Sequence, residues 1–388
     1  MIFANTGGCS KSEPYMIKRF FFVVFLIFSL SVGTSTQSIV PVTPVVSASE
    51  SILALPLILA WKYDSDETTS VTPATDGKQV YVPTSSGGIV ALNAATGKLV
   101  WRESMGGQIS AEPVADQAAV FVANGIVGSS PAVLQATGAV RALSLESGVT
   151  LWMRTLPFSL QGGLITDKTA VYGASTDGRV YALRKHDGML LWVKQFSSSF
   201  ISHPAAGSGR LYLGSEDGFV YALDVRSGDV IWRYRTRGAI RGRPAISEGL
   251  IAVGSADGYV YALEETSGFL RWRVRTGAAV QSVAIPGAEV IAASLDNFAY
   301  GFSATKGARL WKRELGGRPL AEPLSQGYMI LLNPISGNIA IVLDARDGKV
   351  LNRLPTGDDN NSSAAPVVAG KILMLTTRTG LLAFSRPE

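Results

Sequence analysis

Tryptophan recurs along the chain at an almost constant interval, and this regularity limits the possible folds more than any other feature. The seven tryptophans are Trp61, Trp101, Trp152, Trp192, Trp232, Trp272 and Trp311. The successive gaps are 40, 51, 40, 40, 40 and 39 residues, so only one repeat carries a substantial insertion, around 124–137. A period near 40 residues indicates an array of similar supersecondary units.

Each repeat contains four segments with the character of β-strands. The best-preserved unit, 217–232, reads DGFVYALDVRSGDVIW. Its β-branched and aromatic residues follow an Asp-Gly turn, as is typical of a hairpin strand, and a Ser-Gly turn leads into the strand that carries tryptophan. A further strand precedes the Asp-Gly turn, and a short inner strand is expected after each proline of the series Pro73, Pro113, Pro204, Pro244, Pro323 and Pro366. The fold class predicted is all-β, with four-stranded antiparallel blades.

The number of repeats predicts how the array closes. The strand that closes with Tyr-Ala-Leu, or with similar residues, occurs eight times in the sequence. Its last residues are Leu92, Leu143, Leu183, Leu223, Leu263, Phe302, Leu343 and Phe384. The last has no tryptophan strand after it, and the strand of Trp61 has no such segment before it. We therefore predict an eight-bladed β-propeller over 57–388, in which the N-terminal strand completes the C-terminal blade and removes the open edges of a linear array. Asn352 occupies the tryptophan position of one blade.

The N-terminal region, 1–37, has the pattern of an upstream extension followed by an export signal that begins at Met16. Lys18 and Arg19 precede an apolar stretch over 20–30 and then small and polar residues. This stretch is too short to span a bilayer of about 30 Å as a helix, so a cleaved signal peptide is expected. Residues 38–56, with prolines and serines, are predicted to be a flexible linker.

The sequence around the expected cleavage site argues against a lipid anchor. Leu30-Ser31-Val32-Gly33 resembles the start of a bacterial lipobox, but Thr34 stands where the lipidated cysteine would be. We expect a soluble periplasmic protein that is at most peripheral to the membrane.

Charge and cysteine content exclude several functions. The formal net charge of +5 is a mild bias, and no nucleic-acid-binding motif accompanies it, so nucleic acid is not an expected partner. The single cysteine, Cys9, precedes the propeller, which therefore has no thiol nucleophile and no cysteine zinc ligands. His203 has no second ligand residue at metal-binding spacing, and no metal or other cofactor is predicted.

The unit DGxVYALdaxTGxxxW resembles the pyrroloquinoline-quinone-type (PQQ-type) propeller repeat, and the resemblance covers about 57–388. It implies that each tryptophan docks between neighbouring blades. Quinoprotein dehydrogenases and the non-catalytic BamB family of outer-membrane β-barrel assembly factors share this repeat. The chain's size, eight compact blades and export signal are similar to the BamB family, whereas the lack of propeller cysteines differs from many of the dehydrogenases. This likeness implies a scaffold without catalytic activity, monomeric within a complex, whose partner is an outer-membrane barrel assembly subunit. A PQQ-binding protein, a small quinoprotein dehydrogenase or sensor, or an envelope polysaccharide-binding module are the alternatives.

One position per blade varies chemically although the rest of the repeat is monotonous. It is the residue before each inner-strand proline or its equivalent, namely Thr72, Glu112, Gly163, His203, Arg243, Val283, Glu322 and Ala365. Because loops at one face of a propeller and its central channel commonly carry function, we predict that this set, with Glu112, His203 and Glu322 as candidate contacts, forms a polar cluster at one mouth of the channel that contacts a ligand or a partner loop. The alternative is that these residues only solvate their loops.

A second candidate partner site is a row of arginines on two adjacent blades. Alternate residues of a strand share one face, and the row consists of Arg233, Arg235 and Arg237, then Arg271, Arg273 and Arg275, with Arg241 and Arg243 between them. Such a basic surface favours docking of an acidic partner. Ordinary solvent-facing charge on outer strands is the alternative.

Overall fold

A computed structural model describes residues 51–53, 56–65, 67, 71–126, 137–335, 338–357 and 362–387 of the chain. The predicted signal segment, most of the predicted linker and residues 127–136 of the insertion lie outside the described residues. Within them the structure consists of 32 β-strands in eight four-stranded antiparallel sheets. In this part of the chain no helix is long and apolar enough to cross a membrane.

The sheets follow one another along the chain as blades of four strands. Blade 1 comprises β2 (Ala74–Thr75), β3 (Gln79–Pro83), β4 (Gly88–Asn93) and β5 (Leu99–Ser104), and blade 2 comprises β6 (Val114–Ala115), β7 (Val120–Gly125), β8 (Gly138–Leu143) and β9 (Thr150–Leu156). Blade 3 comprises β10 (Leu160–Thr166), β11 (Ala170–Ser175), β12 (Arg179–Arg184) and β13 (Leu190–Gln195), and blade 4 comprises β14 (Ala205–Gly207), β15 (Arg210–Gly214), β16 (Phe219–Asp224) and β17 (Val230–Arg235). Blade 5 comprises β18 (Ala245–Ser247), β19 (Leu250–Gly254), β20 (Tyr259–Glu264) and β21 (Leu270–Arg275), and blade 6 comprises β22 (Val280–Ala284), β23 (Glu289–Ser294), β24 (Phe298–Ser303) and β25 (Arg309–Glu314). Blade 7 comprises β26 (Leu324–Gln326), β27 (Met329–Leu332), β28 (Ile339–Asp344) and β29 (Val350–Pro355), and blade 8 comprises β30 (Val367–Ala369), β31 (Ile372–Thr377), β32 (Gly380–Ser385) and β1 (Ile58–Asp64).

The ring closes through the first strand, as predicted. β1 is the outer strand of blade 8 and pairs antiparallel with β32, with Trp61 opposite Ala383 and Leu59 opposite Phe384. The inner strand β2 of blade 1 contacts both β6 of blade 2 and β30 of blade 8. The eight-bladed propeller and its closure by the N-terminal strand are therefore confirmed.

The hydrophobic core lies between the blades, where each tryptophan joins its own blade to the next. One buried cluster, for example, combines Tyr172 and Trp192 of blade 3 with Leu211 and Leu223 of blade 4. Every indole N–H donates a hydrogen bond to a backbone carbonyl of the following blade at 2.7–3.0 Å, the acceptors being Ala94, Leu145, Lys185, Val225, Glu265, Ala304 and Ala345. We call each such contact a tryptophan seam.

The turn glycine of the repeat completes each tryptophan seam. Gly228 has φ of +72°, and a Cβ at this position would lie 2.6 Å from the Trp192 ring. The same close approach occurs at all seven seams, with the glycines Gly97, Gly148, Gly188, Gly228, Gly268, Gly307 and Gly348. Glycine is therefore required at this turn both by the backbone conformation and by the indole that lies against it.

The eighth seam, between blades 7 and 8, is built differently. Asn352 occupies the tryptophan position, and in blade 8 no turn joins β32 to β1 because the two strands come from opposite ends of the chain. Ile52 and Leu53 are buried in the apolar cluster of this seam, and the backbone N–H of Ile52 donates to Gln326 at 3.0 Å. Residues within the predicted linker thus fill the seam that has no indole.

Candidate functional site

Five of the chemically variable residues before the inner strands meet at one mouth of the central channel. In six blades the inner strand begins two residues after this position, whereas in blades 3 and 6 the position lies within the inner strand, at Gly163 and Val283. The side chains of Thr72, Glu112, His203, Arg243 and Glu322 are connected by hydrogen bonds and ion pairs. We call these five residues the channel-mouth cluster.

The contacts of the channel-mouth cluster cross the ring. His203 Nδ1 lies 2.7 Å from Glu322 Oε1 and 3.3 Å from Glu112 Oε2. Arg243 Nε lies 3.3 Å from Glu322 Oε2, and its Nη2 lies 4.0 Å from Glu112 Oε2. Thr72 donates its hydroxyl to Glu112 and accepts the N–H of Ala365 at 2.9 Å. Because these residues come from blades 1, 2, 4, 5 and 7, their side chains connect five blades of the ring.

Backbone pairing between blades 2 and 3 sets the position of Glu112. Its N–H donates to the carbonyl of Gly162 at 2.8 Å, and its carbonyl accepts the N–H of Leu164 at 2.9 Å. Between these two residues, a Cβ at Gly163 would lie 3.3 Å from the His203 ring and 3.5 Å from the Glu112 Cβ. The small residue therefore leaves the space into which the acidic and imidazole side chains extend.

Burial and mutual charge shift the titration of the cluster. The side chains of Glu112, His203 and Glu322 are 16%, 17% and 21% exposed. Burial raises the pKa of Glu112, and the Glu322 carboxylate adds to the rise despite the opposing charge of His203. Burial opposes the ionisation of both Glu322 and His203. Nevertheless, the positive charges of Arg243 and His203 hold the pKa of Glu322 below its usual range, and the two glutamates raise the pKa of His203.

A polar cavity of about 410 Å³ lies against the channel-mouth cluster. Its lining includes Glu112, His203 and Glu322, and also Ser110, Gln161, Arg241 and Gln281. The last four stand two residues before the variable positions of their own blades. Ser110, Gln161 and Gln281 are not among the predicted site residues, although their constant offset within the repeat is a signal in the sequence that identifies them.

The chemistry available at the mouth is that of recognition by hydrogen bonds and paired charges. Both carboxylates are already engaged with cationic groups, so their oxygens serve first to fix the positions of His203 and Arg243. Among the described residues no group of three or more His, Cys, Asp or Glu side chains is arranged to hold a metal ion. The mouth therefore presents a rigid polar surface of donors and acceptors from several blades.

The structure separates the predicted arginine row into two places. Arg243 belongs to the channel-mouth cluster, and Arg241 lines the cavity, where Glu216 accepts from its guanidinium at 3.0 and 3.1 Å. The remaining six arginines lie far out on blades 4 and 5, on or just after the outer strands β17 and β21; all of them are exposed. Arg237 lies two residues beyond the end of β17.

Aromatic rings of the adjacent strand support the outer arginines. The guanidinium carbons of Arg233 and Arg235 lie 5.1 and 5.4 Å from the centre of the Phe219 ring, and that of Arg273 lies 5.5 Å from the centre of the Tyr259 ring. Arg271 is 3.8 Å from Glu264. In the described part of the chain, no carboxylate is ion-paired with Arg233, Arg235, Arg273 or Arg275, so blades 4 and 5 present unneutralised positive charge.

Comparison with solved structures supports the fold. BamB from Moraxella catarrhalis superposes with a TM-score of 0.69 at 17% identity, over 86% of this chain and 98% of that chain. The computationally designed Ika8 protein gives 0.71 at 14% identity, over 83% and 97%. Quinohemoprotein alcohol dehydrogenase from Comamonas testosteroni gives 0.66 at 13% identity, over 86% and 78%. At these identities the likeness establishes a common propeller fold.

Comparison of sequences is more specific. No curated protein matches the sequence of this chain. The sequence model of the family described as "Outer membrane protein assembly factor BamB" matches residues 59–134, 136–242 and 237–388, which together span nearly the whole propeller. The chain therefore belongs to the BamB family of outer membrane protein assembly factors.

Proposed function

We propose that the protein is a non-catalytic scaffold of the bacterial periplasm that binds a subunit of the outer-membrane β-barrel assembly machinery. The observation that carries this proposal is the row of exposed arginines on two adjacent outer strands, in a chain that belongs to the BamB family. Arg233, Arg235, Arg273 and Arg275 have no carboxylate partner within the described chain, so an acidic partner surface can approach without displacing an internal ion pair.

The construction of the ring supports a scaffold function. Seven tryptophan seams, each with a hydrogen bond to the next blade, hold the blades in fixed relative positions. A partner that contacts several blades therefore meets a preorganised surface and loses little binding free energy to ordering of the scaffold.

The fold shared with a quinohemoprotein dehydrogenase raises the question of a quinone cofactor. PQQ is an anionic quinone that such enzymes use for oxidation together with calcium, and calcium prefers oxygen ligands. At the channel mouth the carboxylates of Glu112 and Glu322 are already paired with His203, Arg243 and Thr72. These residues do not fit a calcium–quinone site, and we derive no reaction through one.

The proposal is tested by affinity purification of the full chain from membranes of its own organism after mild solubilisation. We expect the barrel-assembly subunit to be recovered in every preparation, and its reproducible absence contradicts the proposal. A second measurement follows the absorption spectrum of the purified protein after incubation with PQQ and calcium. Stoichiometric quinone binding with reduction of an electron-acceptor dye would replace the scaffold by a dehydrogenase.

A further inference from the structure

The residue that follows the tryptophan position divides the eight outer strands into two groups. In blade order from blade 8 through blade 7 these residues, which we call guard residues, are Lys62, Arg102, Met153, Val193, Arg233, Arg273, Lys312 and Arg353. Six are basic and exposed. The two apolar ones, Met153 and Val193, are in neighbouring blades 2 and 3 and are 52% and 41% exposed.

A basic guard residue has a physical purpose on these strands. Each outer strand pairs on one side only in the described sheets, so it presents a free edge of backbone N–H and C=O groups to other chains. Lysine and arginine side chains on an edge strand discourage another chain from adding to the sheet. In blades 2 and 3 the guard position lacks this protection, and the nearest basic side chains of these strands, Arg154 and Lys194, are the next residues along the chain.

The segments that lead to these two guard residues are also apolar and exposed. Two and four residues before Met153 and Val193 stand further apolar side chains, at the point where the pairing of β9 with β8 and of β13 with β12 shifts register. We call the resulting six residues the apolar wall: Val149 (61% exposed), Leu151 (57%), Met153 (52%), Met189 (48%), Leu191 (43%) and Val193 (41%). In each of the other six blades at least one of the three corresponding positions is charged, as at Asp229 and Arg233 in blade 4.

The charge of the neighbouring blades indicates what covers the apolar wall. Blade 3 is followed by blades 4 and 5, whose outer strands carry the unpaired guanidinium groups of Arg233, Arg235, Arg273 and Arg275. The outer surface thus changes from apolar to cationic along consecutive blades. This surface matches a protein segment in extended conformation that has apolar residues at alternate positions and acidic residues beyond them. Its apolar residues match the apolar wall, its acidic residues match the arginines, and its backbone can pair with a free strand edge.

We propose that the apolar wall is the docking site for such a segment of a partner protein, which adds a strand to the edge of blade 2 or blade 3 and places its acidic end on the arginines of blades 4 and 5. This inference rests on the proposed scaffold function, and it names the surface and the chemistry of the partner segment. A lipid surface would match the apolar and basic side chains but would leave the backbone groups of the strand edges unpaired. A protein segment satisfies both, and it is therefore the occupant that we propose.

The test is site-specific photocrosslinking of the full chain in its own cells. p-Benzoylphenylalanine is incorporated at position 153 or 193, or at position 312 in blade 6 as the matched control, and the crosslinked peptide is sequenced by mass spectrometry. The expected adduct at 153 and 193, absent at 312, is a protein segment with alternate apolar residues and nearby acidic residues. An adduct with a second copy of the chain, an adduct with lipid alone, or no adduct overturns the proposal.

A charge variant completes the test. Met153→Lys together with Val193→Lys gives blades 2 and 3 the basic guard residue that six other blades already carry, so the fold should tolerate it and the thermal unfolding midpoint should not change. With the crosslinker moved to position 151 or 191, the double variant should lower adduct yield about tenfold, as expected when central apolar contacts are lost. An unchanged yield contradicts the proposal.

The outcomes separate this inference from the scaffold function. If the crosslinked segment belongs to a protein outside the barrel-assembly machinery, the docking site stands and the proposed function fails. If affinity purification recovers the assembly subunit but positions 153 and 193 form no adduct, the proposed function stands and the docking site fails.

Discussion

The tryptophan seams and the channel-mouth cluster show two opposite uses of the same repeat. At each of the seven tryptophan seams one blade presents an indole and the next presents a carbonyl acceptor and a glycine at corresponding positions, and this geometry repeats with little variation. At the channel mouth the corresponding positions differ from blade to blade, and hydrogen bonds and ion pairs form because the residues are unlike. Uniform positions thus hold the ring together, and varied positions give it a specific surface.

The largest expected effect comes from breaking one seam. Trp232→Ala removes a side chain that is 8% exposed and its hydrogen bond to Glu265, and it leaves a cavity between blades 4 and 5. The free energy of unfolding should fall by about 4 kcal/mol, as measured by urea denaturation. Removal of the exposed Leu310 side chain by Leu310→Ala serves as the control. A loss for Trp232→Ala no greater than that of the control would show that the seams do not hold the ring.

The next effect tests whether the channel-mouth cluster also contributes to stability. Among the described residues, Glu322→Gln leaves His203 and Arg243 with Glu112 as their remaining carboxylate partner, so the free energy of unfolding at neutral pH should fall by about 3 kcal/mol. The matched substitution Glu314→Gln, at an exposed carboxylate on β25, should change it by less than about 0.5 kcal/mol. Equal effects of the two substitutions would show that the ion pairs of the cluster do not contribute to the free energy of unfolding.

Two glycines with the same backbone conformation separate strain from packing at a seam. Gly209 and Gly228 both have φ of +72°, but a Cβ at Gly209 meets nothing within 4 Å, whereas a Cβ at Gly228 meets Trp192 at 2.6 Å. Gly209→Ala should cost about 1 kcal/mol from the positive φ, and Gly228→Ala about 2 kcal/mol more from overpacking. Urea denaturation of both variants measures the difference. If the two costs are equal, contact with the indole does not explain the glycine.

The smallest effect is a pH dependence that only the cluster should show. Because the pKa of His203 is raised in the folded protein, its protonation stabilises the fold below the unfolded value of 6.5, and this contribution is lost as pH rises through the folded pKa. The pKa of Glu322 is lowered, so Glu322 stays ionised over this range, while the raised pKa of Glu112 acts in the same direction as that of His203.

His203→Gln should therefore lower the free energy of unfolding by about 1 kcal/mol more at pH 6 than at pH 9. The exposed His186, changed in the same way to Gln, should show no such difference. A larger loss for His203→Gln at pH 9 would reverse the assigned sign.

The seams could be predicted from the sequence because they depend on spacing alone. Six of the seven tryptophans, all but Trp61, lie four residues after a turn glycine, and a fixed period places every tryptophan against the next blade's glycine once the ring closes. The eighth seam could not be predicted in the same way. Ile52 and Leu53 lie outside the repeat, in a segment whose serines and prolines are typical of a linker, and only the structure shows that they are buried in the apolar cluster of this seam.

The channel mouth was predictable in part. The variable residues before the inner strands are identified by their place in the repeat, but the repeat does not indicate which of them touch. His203 and Glu322 are 119 residues apart and meet because side chains of blades 4 and 7 reach across the channel. Likewise Arg241 and Arg243 resemble the outer arginines in the sequence, yet the turn after β17 carries them inward to the cavity.

We propose that differences between blades, on a ring held by uniform seams, bind a partner of the barrel-assembly machinery. Calorimetric titration of the purified chain with the soluble part of the barrel-assembly subunit from the same organism tests this proposal. We expect saturable binding by the wild type and by Arg353→Glu in blade 7, and about tenfold weaker binding by Arg233→Glu combined with Arg273→Glu. Equal affinities for all three proteins, or no binding by the wild type, would contradict the proposal.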